Sequence, residues 1–167
     1  SCHKAVPDKR NFEKICNIKG ESLLSLLNTQ NKQSSVYVNM RACFWMKAFS
    51  FNPGSKEYKE LGCSSEIKPY LLAILNSNLF FLYWTIVSDC WHITNKELSE
   101  FFVPTNGVCL DMFRILASKL ERKLERTKKY IGSAQTQYEY KHRECKPEID
   151  AIDDALQEIY DLTDDEV

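Results

Sequence analysis

Histidine and cysteine are the side chains of this sequence best suited to metal binding or nucleophilic catalysis, and both types are scattered. The three histidines stand at positions 3, 92 and 142, and the seven cysteines form no Cys-x-x-Cys pair. "CWH" (residues 90–92) and "HREC" (residues 142–145) each combine a histidine with a cysteine, but neither has a second pair at zinc-ligand spacing. We therefore predict no metal site, and free thiols in a reducing, cytoplasmic location.

Motifs for nucleotide binding and hydrolysis are also missing from the sequence. The five glycines form neither GxGxxG nor a P-loop, and neither GxSxG nor HExxH occurs. Only His92 lies near a predicted core segment, where we expect a packed or hydrogen-bonded residue rather than a general base. The sequence alone thus predicts no self-contained active site.

The charges are segregated along the chain, although the net charge is only −1. Residues 147–167 contain nine acidic residues and no basic one, so residues 1–146 hold 22 Lys and Arg against 14 acids, a net charge of +8. A basic body with an acidic tail is compatible with a polyanionic partner.

Residues 69–88 form the longest uncharged segment, twenty residues, which is the length of a membrane helix. Asn76, Ser77 and Asn78 lie inside it, and their polar groups would need partners that lipid does not supply. We therefore predict a buried core helix and no membrane contact. Asn76 and Ser77 are expected to satisfy backbone groups inside the domain.

The segments around this helix show weaker patterns. Residues 11–28 have helical spacing and predict one or two short helices, whereas residues 35–51 and 58–61 are typical of strands. Thr94, with Glu97 three residues later, predicts a capped helical turn.

Two amphipathic helices are predicted at the end of the chain. Apolar residues recur every three or four positions from residue 108 to about 143, and Pro147 is expected to end this first helix. The same spacing recurs over residues 148–162. These helices could form an antiparallel hairpin or pair with a second subunit.

The predicted fold class is α+β: a small mixed or antiparallel β-sheet packed with a buried apolar helix, followed by a long helix and a returning C-terminal helix. We divide the chain into an α+β domain (residues 1–107) and a helical extension (residues 108–167).

Three segments carry a resemblance to a known family. They are "LLAILNSNLFFLYW" (residues 71–84), "SDCWHITNKELSEFFVP" (residues 88–104) and "IDAIDDALQEIYDLTDDE" (residues 149–166). In this order they resemble the C-terminal, TaqI-like target-recognition domain of bacterial adenine-specific DNA methyltransferases from type II restriction–modification systems. Some of these enzymes are fused to an endonuclease. The resemblance covers roughly residues 12 to 167.

The resemblance implies that this chain recognises the DNA target and that a separate catalytic domain carries out the methylation. The family's S-adenosylmethionine loop and Asn-Pro-Pro-aromatic motif are absent, and "FNPGS" (residues 51–55) lacks the second proline and the aromatic residue, so we predict a plain turn there. The chain also begins without Met. We therefore expect a non-catalytic segment of a longer polypeptide, with S-adenosylmethionine bound in the missing catalytic domain and double-stranded DNA bound between the two. The parent protein would be the enzyme.

The resemblance also implies which residues contact DNA. Arg reads guanine, Asn reads adenine, and Lys contacts guanine or phosphate. Candidates of these types precede and follow the apolar helix, with His92 positioning its loop. They are Arg41, Lys47, Lys56, Tyr58, Lys59, His92, Thr94, Asn95 and Lys96. The basic stripe at residues 119–129 is expected to be a solvated face.

Two alternatives remain open. The chain could be a fragment of a type I-like specificity subunit that serves a separate methyltransferase. It could instead be a helical protein-interaction module without DNA binding, which self-associates through the long helix. A small-molecule enzyme is the weakest alternative.

Overall fold

The computed structural model describes residues 9–27, 33–41, 47–89 and 91–162. Helices and small antiparallel sheets alternate along these residues, which confirms the predicted α+β fold. In chain order the elements are α1 (Lys9–Asn17), β1 (Glu21–Ser22), α2 (Leu23–Leu26), β2 (Ser34–Asn39), β3 (Ala48–Phe49), β4 (Tyr58–Cys63), α3 (Lys68–Asn76), α4 (Asn78–Val87), α5 (Asn95–Glu100), β5 (Phe102–Val103), α6 (Leu110–Thr127), β6 (Lys129–Tyr130), β7 (Tyr138–Glu139), the 3-10 helix η1 (His142–Cys145) and α7 (Lys146–Tyr160).

A three-stranded antiparallel sheet has the order β3-β2-β4, with β2 in the centre. Val36 and Val38 of β2 are buried, as the alternation of a half-buried strand requires. Val38 pairs with Ala48 on one side and with Lys59 on the other. The predicted strands at residues 35–51 and 58–61 are confirmed in the described residues, and residues 42–46 lie outside them.

The uncharged segment forms two helices, so the prediction of a single helix is wrong. α3 and α4 are bent by 61° at Ser77, whose backbone is extended. The Ser77 hydroxyl donates to the carbonyl of Ile74 at 2.6 Å and accepts from the N–H of Phe80 at 3.1 Å, which caps α4. In the described part of the chain no single helix is long and apolar enough to cross a membrane; the bent pair would qualify by length and composition only.

Burial of this segment is confirmed, as is the structural role of its polar residues. Tyr70 and Trp84 are fully buried, and Asn76 is only 3% exposed. The Asn76 carboxamide accepts from the N–H of Ala48 and donates to the carbonyl of the same residue, both at 3.0 Å. A side chain of α3 thereby takes the place of a neighbouring strand beside β3.

The capping pattern after α4 is confirmed. Glu97 accepts from the N–H of Thr94 at 3.0 Å and also from the Thr94 hydroxyl, and α5 begins at the next residue. β5 then pairs antiparallel with β1, with Val103 opposite Glu21. β5 ends directly before Pro104.

The long helix ends at Thr127, sixteen residues before the predicted end at Arg143. A β-hairpin follows, in which β6 pairs with β7 and the rings of Tyr130 and Tyr138 stack edge-to-face at 5.6 Å. Gly132 has a φ of +62°, a backbone conformation that helices do not contain. Pro147 lies in the first turn of α7, where the missing N–H has no helical partner to lose, so it begins a helix instead of ending one.

α6 and α7 pack on the bent pair of α3 and α4 and share its core. The ring of Tyr70 in α3 lies 4.6 Å from that of Phe113 in α6. Tyr160 of α7 contacts the ring of Phe101 and donates its hydroxyl proton to the carbonyl of Phe102 at 2.6 Å. The described residues on both sides of position 107 thus contribute to one hydrophobic cluster. The division into two domains stays a prediction.

Candidate nucleic-acid interface

Five of the nine residues proposed to contact DNA line one surface cleft of about 400 Å³. They are Arg41, Lys56, Tyr58, Lys59 and His92, and the remaining lining residues are Met40, Glu57 and Gln135. These residues come from four separate segments of the chain, so tertiary structure alone assembles the cleft.

Backbone pairing holds three of these segments side by side. At the end of the sheet, the N–H of Met40 donates to the carbonyl of Glu57 at 3.2 Å. On the other side, Arg41 forms an isolated antiparallel bridge with His92, and the N–H of Ile93 donates to the carbonyl of Met40 at 3.2 Å. The segment at residues 40–41 therefore lies between the start of β4 and the loop after α4.

The loop that carries His92 is fixed by its own hydrogen bonds. The carboxylate of Asp89 accepts from the N–H groups of Trp91 and His92 at 3.0 and 3.4 Å, and these bonds lower the pKa of Asp89. Trp84 in the core donates its indole N–H to the carbonyl of His92 at 3.3 Å. We expected a packed or hydrogen-bonded residue: the backbone of His92 is hydrogen-bonded, whereas its side chain is exposed and not packed.

Basic groups outnumber acidic ones around the cleft. Arg41, Lys56 and Lys59 face one carboxylate, that of Glu57, which lies 3.3 Å from the Arg41 guanidinium. Because the Arg41 side chain is 63% exposed, water screens this ion pair and it holds Arg41 only weakly. The guanidinium has five N–H donors, so contact with Glu57 leaves donors for a ligand.

Tyr58 has a structural role in the cleft. Its ring packs against Phe49 at a centroid distance of 5.7 Å, and its hydroxyl is hydrogen-bonded to Asn39. Burial raises the pKa of the phenol above its ordinary value. Tyr58 is therefore a neutral, half-buried residue of the cleft.

The other four proposed residues do not line the cleft. Lys47 precedes β3, and its carbonyl accepts from the N–H of Asn39 at 2.9 Å. Thr94, Asn95 and Lys96 form the cap and first turn of α5, directly after the His92 loop in the chain. The structure brings these three residues together with each other but not into the cleft.

Two exposed residues near this surface were not among the sequence-based candidates. Trp91 is 72% exposed beside His92, and the sequence offered only its aromatic character as a signal. Gln135 lines the cleft from the β6–β7 hairpin, in a segment we had predicted as helix. The Gly-Ser pair at positions 132–133, flanked by tyrosines, was the available turn signal.

The described residues contain no group of three or more His, Cys, Asp or Glu side chains that could hold a metal ion. His142 and Cys145 both lie in η1, and burial, followed by the nearby Lys47, lowers the pKa of His142. Cys90 of the "CWH" segment lies outside the described residues, as do the last residues (163–166) of the third family-like segment.

Comparison with known proteins yields no relative: no family model, no curated protein and no solved structure matches this chain.

Proposed function

We propose that this chain is the DNA target-recognition domain of an adenine-specific DNA methyltransferase from a restriction–modification system. The S-adenosylmethionine-dependent catalytic domain would belong to another part of the same polypeptide, and the reaction would take place in the cytoplasm. The observation that carries the proposal is the cleft, where Arg41, Lys56, Lys59 and His92 converge from separate segments.

The chemistry of the cleft suits duplex DNA. Arg41 has an exposed guanidinium that can donate two parallel hydrogen bonds to guanine O6 and N7. Lys56 and Lys59 are exposed, flexible cations of the type that contacts phosphate. We assign base reading to Arg41 and backbone contacts to the two lysines.

The test is to express the gene that contains this segment in a host lacking adenine methylation and to map N6-methyladenine across the genome by single-molecule sequencing. We expect methylation at one short motif. Exchange of residues 12–141 for those of a relative with a different motif should move methylation to the relative's motif. The absence of any methylated motif from a folded product would refute the assignment.

Point variants separate the two kinds of contact. Arg41→Ala should reduce sequence discrimination at one base pair of the motif, where about 1–3 kcal/mol of preference for the correct base should be lost. Lys56→Ala with Lys59→Ala should weaken DNA binding equally for all sequences and reduce the slope of log K against log salt by about 2. Lys119→Ala with Arg122→Ala, on the exposed face of α6, is the matched control and should leave both unchanged.

A protein-interaction role for α6 is the second candidate function. Met112 and Ile115, three positions apart on this helix, are 37% and 53% exposed. If α6 pairs with a second copy, sedimentation equilibrium should detect a concentration-dependent dimer that Ile115→Glu abolishes. A dimer without salt-sensitive DNA binding would favour this role over DNA recognition.

A further inference from the structure

Gln135 presents a carboxamide side chain in the cleft. It reaches the cleft from the β6–β7 hairpin, whereas Arg41, Lys56 and His92 belong to segments that precede α6 in the chain. The residue is exposed. A carboxamide has one acceptor oxygen and an NH2 donor, which match N6 and N7 of adenine in the major groove.

The loop that carries Gln135 is closed by internal hydrogen bonds. The hydroxyl of Ser133 donates to the carbonyl of Thr136 at 2.7 Å and accepts from the N–H of the same residue at 2.9 Å. The N–H of Ile131 donates to the carbonyl of Gln137 at 2.9 Å. Gln135 therefore lies at the tip of a defined turn, and less backbone entropy is lost when this tip binds a ligand.

The same tip is attached to the loop before β4. The N–H of Lys56 donates to the carbonyl of Gln135 at 3.1 Å, and the hydroxyls of Ser55 and Thr136 are hydrogen-bonded at 3.0 Å. Ser55 is 8% exposed, so this joint is largely shielded from water. The joint fixes Gln135 relative to the basic residues of the cleft.

We propose that Gln135 is a specificity-determining residue that recognises the adenine of one A·T pair in the target sequence. This inference rests on the proposed function and deepens it, because it names a base and the residue that reads it. Thr136 and Ser55 act as positioning residues for this contact.

The test uses the complete methyltransferase polypeptide with Gln135→Ala, Gln135→Glu and, as matched control, Gln137→Ala. Gln137 lies in the same loop and faces Gly54 instead of the cleft. Methylation maps should show that Gln135→Ala reduces discrimination for adenine at one motif position by about 5- to 150-fold and leaves the other positions unchanged. Gln135→Glu should shift that position toward cytosine, whose N4 amino group donates to a carboxylate. Gln137→Ala should keep the wild-type motif.

The outcomes distinguish this inference from the proposed function. An unchanged motif in both Gln135 variants would overturn the role of Gln135 and leave the domain assignment standing. A uniform loss of methylation at all positions would also overturn it, because such a loss indicates a contact without base selectivity. A wild-type enzyme with no methylated motif would overturn both proposals.

Discussion

Replacing Asn76 with alanine tests how far the edge of the sheet depends on one buried carboxamide. β3 is an edge strand of the described sheet, so the outer side of Ala48 has no strand partner. Asn76 supplies both hydrogen bonds there, at 3.0 Å each, and also donates to the carbonyl of Leu72 at 2.9 Å. Alanine would remove all three bonds.

The expected loss follows from the groups left behind. The N–H and carbonyl of Ala48 would lose their partner in a buried site, at about 1–3 kcal/mol for each group. The free energy of unfolding should therefore fall by about 2–5 kcal/mol, a large part of the roughly 5–15 kcal/mol typical of a domain. Asn76→Asp should be at least as harmful, since a carboxylate would face the Ala48 carbonyl without a proton to donate.

Urea unfolding followed by circular dichroism measures this loss, with the m-value reporting whether the unfolding transition itself has changed. Asn95→Ala, on the exposed start of α5, is the control and should change stability by no more than about 0.5 kcal/mol. A loss below about 1 kcal/mol for Asn76→Ala at an unchanged m-value would refute the reasoning, because it would mean that the Ala48 groups find other partners at little cost.

Three further substitutions test a buried carboxyl group, a helix cap and a close backbone contact. Burial raises the pKa of Asp153 to about 6, so the stability contributed by its protonated form is complete below about pH 4 and is lost as the pH rises through 6. The unfolding free energy of the wild type should therefore fall by about 2–3 kcal/mol between pH 4 and 7, whereas that of Asp153→Asn should not show this fall. Urea unfolding at each pH measures the difference, and parallel pH curves for the two proteins would contradict the reasoning. Ser77→Ala removes the hydroxyl that accepts from the N–H of Phe80 and should lower the free energy of unfolding by about 1 kcal/mol in the same assay. An unchanged free energy would mean that this hydroxyl does not stabilise the start of α4. In Gly20→Ala the new Cβ would lie 2.3 Å from the carbonyl oxygen of Val103, so thermal unfolding should show a loss of about 1–3 kcal/mol, and an unchanged melting temperature would contradict the packing.

The burial of the apolar segment could be predicted from the sequence, but its bend could not. Asn76, Ser77 and Asn78 marked the polar interruption, yet none of them forbids a continuous helix. The break is stabilised by a distant residue: the carboxyl group of Asp153 in α7 accepts from the N–H of Leu79 at 3.2 Å and from the Asn78 carboxamide at 2.9 Å. Such a partner is invisible to local patterns, because it lies about 75 positions away along the chain.

The hairpin after α6 was missed for a different reason. Ile131 and Tyr138 are seven positions apart, a spacing that fits two turns of helix as well as two sides of a hairpin loop. The positive φ of Gly132 and the edge-to-face contact of Tyr130 with Tyr138 favour the hairpin. The hydrogen bond between Ser55 and Thr136 adds a contact with a segment 81 positions away, which a local pattern does not show. Arg41, Lys56 and Lys59, in contrast, lie in or beside segments predicted as strand and loop, but only the pairing of β2 with β4 brings them into one cleft.

The position of the hairpin bears on where the proposed target-recognition region ends along the chain. The joint between Ser55 and Thr136 links residues 81 positions apart and places Gln135 in the same cleft as Arg41. An exchange that stops at residue 107 would therefore combine the donor's Arg41 side of the cleft with the host's Gln135 side. Under the proposed function such a chimera would read a mixed motif, whereas an exchange that continues past β7 would transfer the donor's motif whole. The functional boundary then lies after the hairpin, even though the sequence pattern changes at the start of α6.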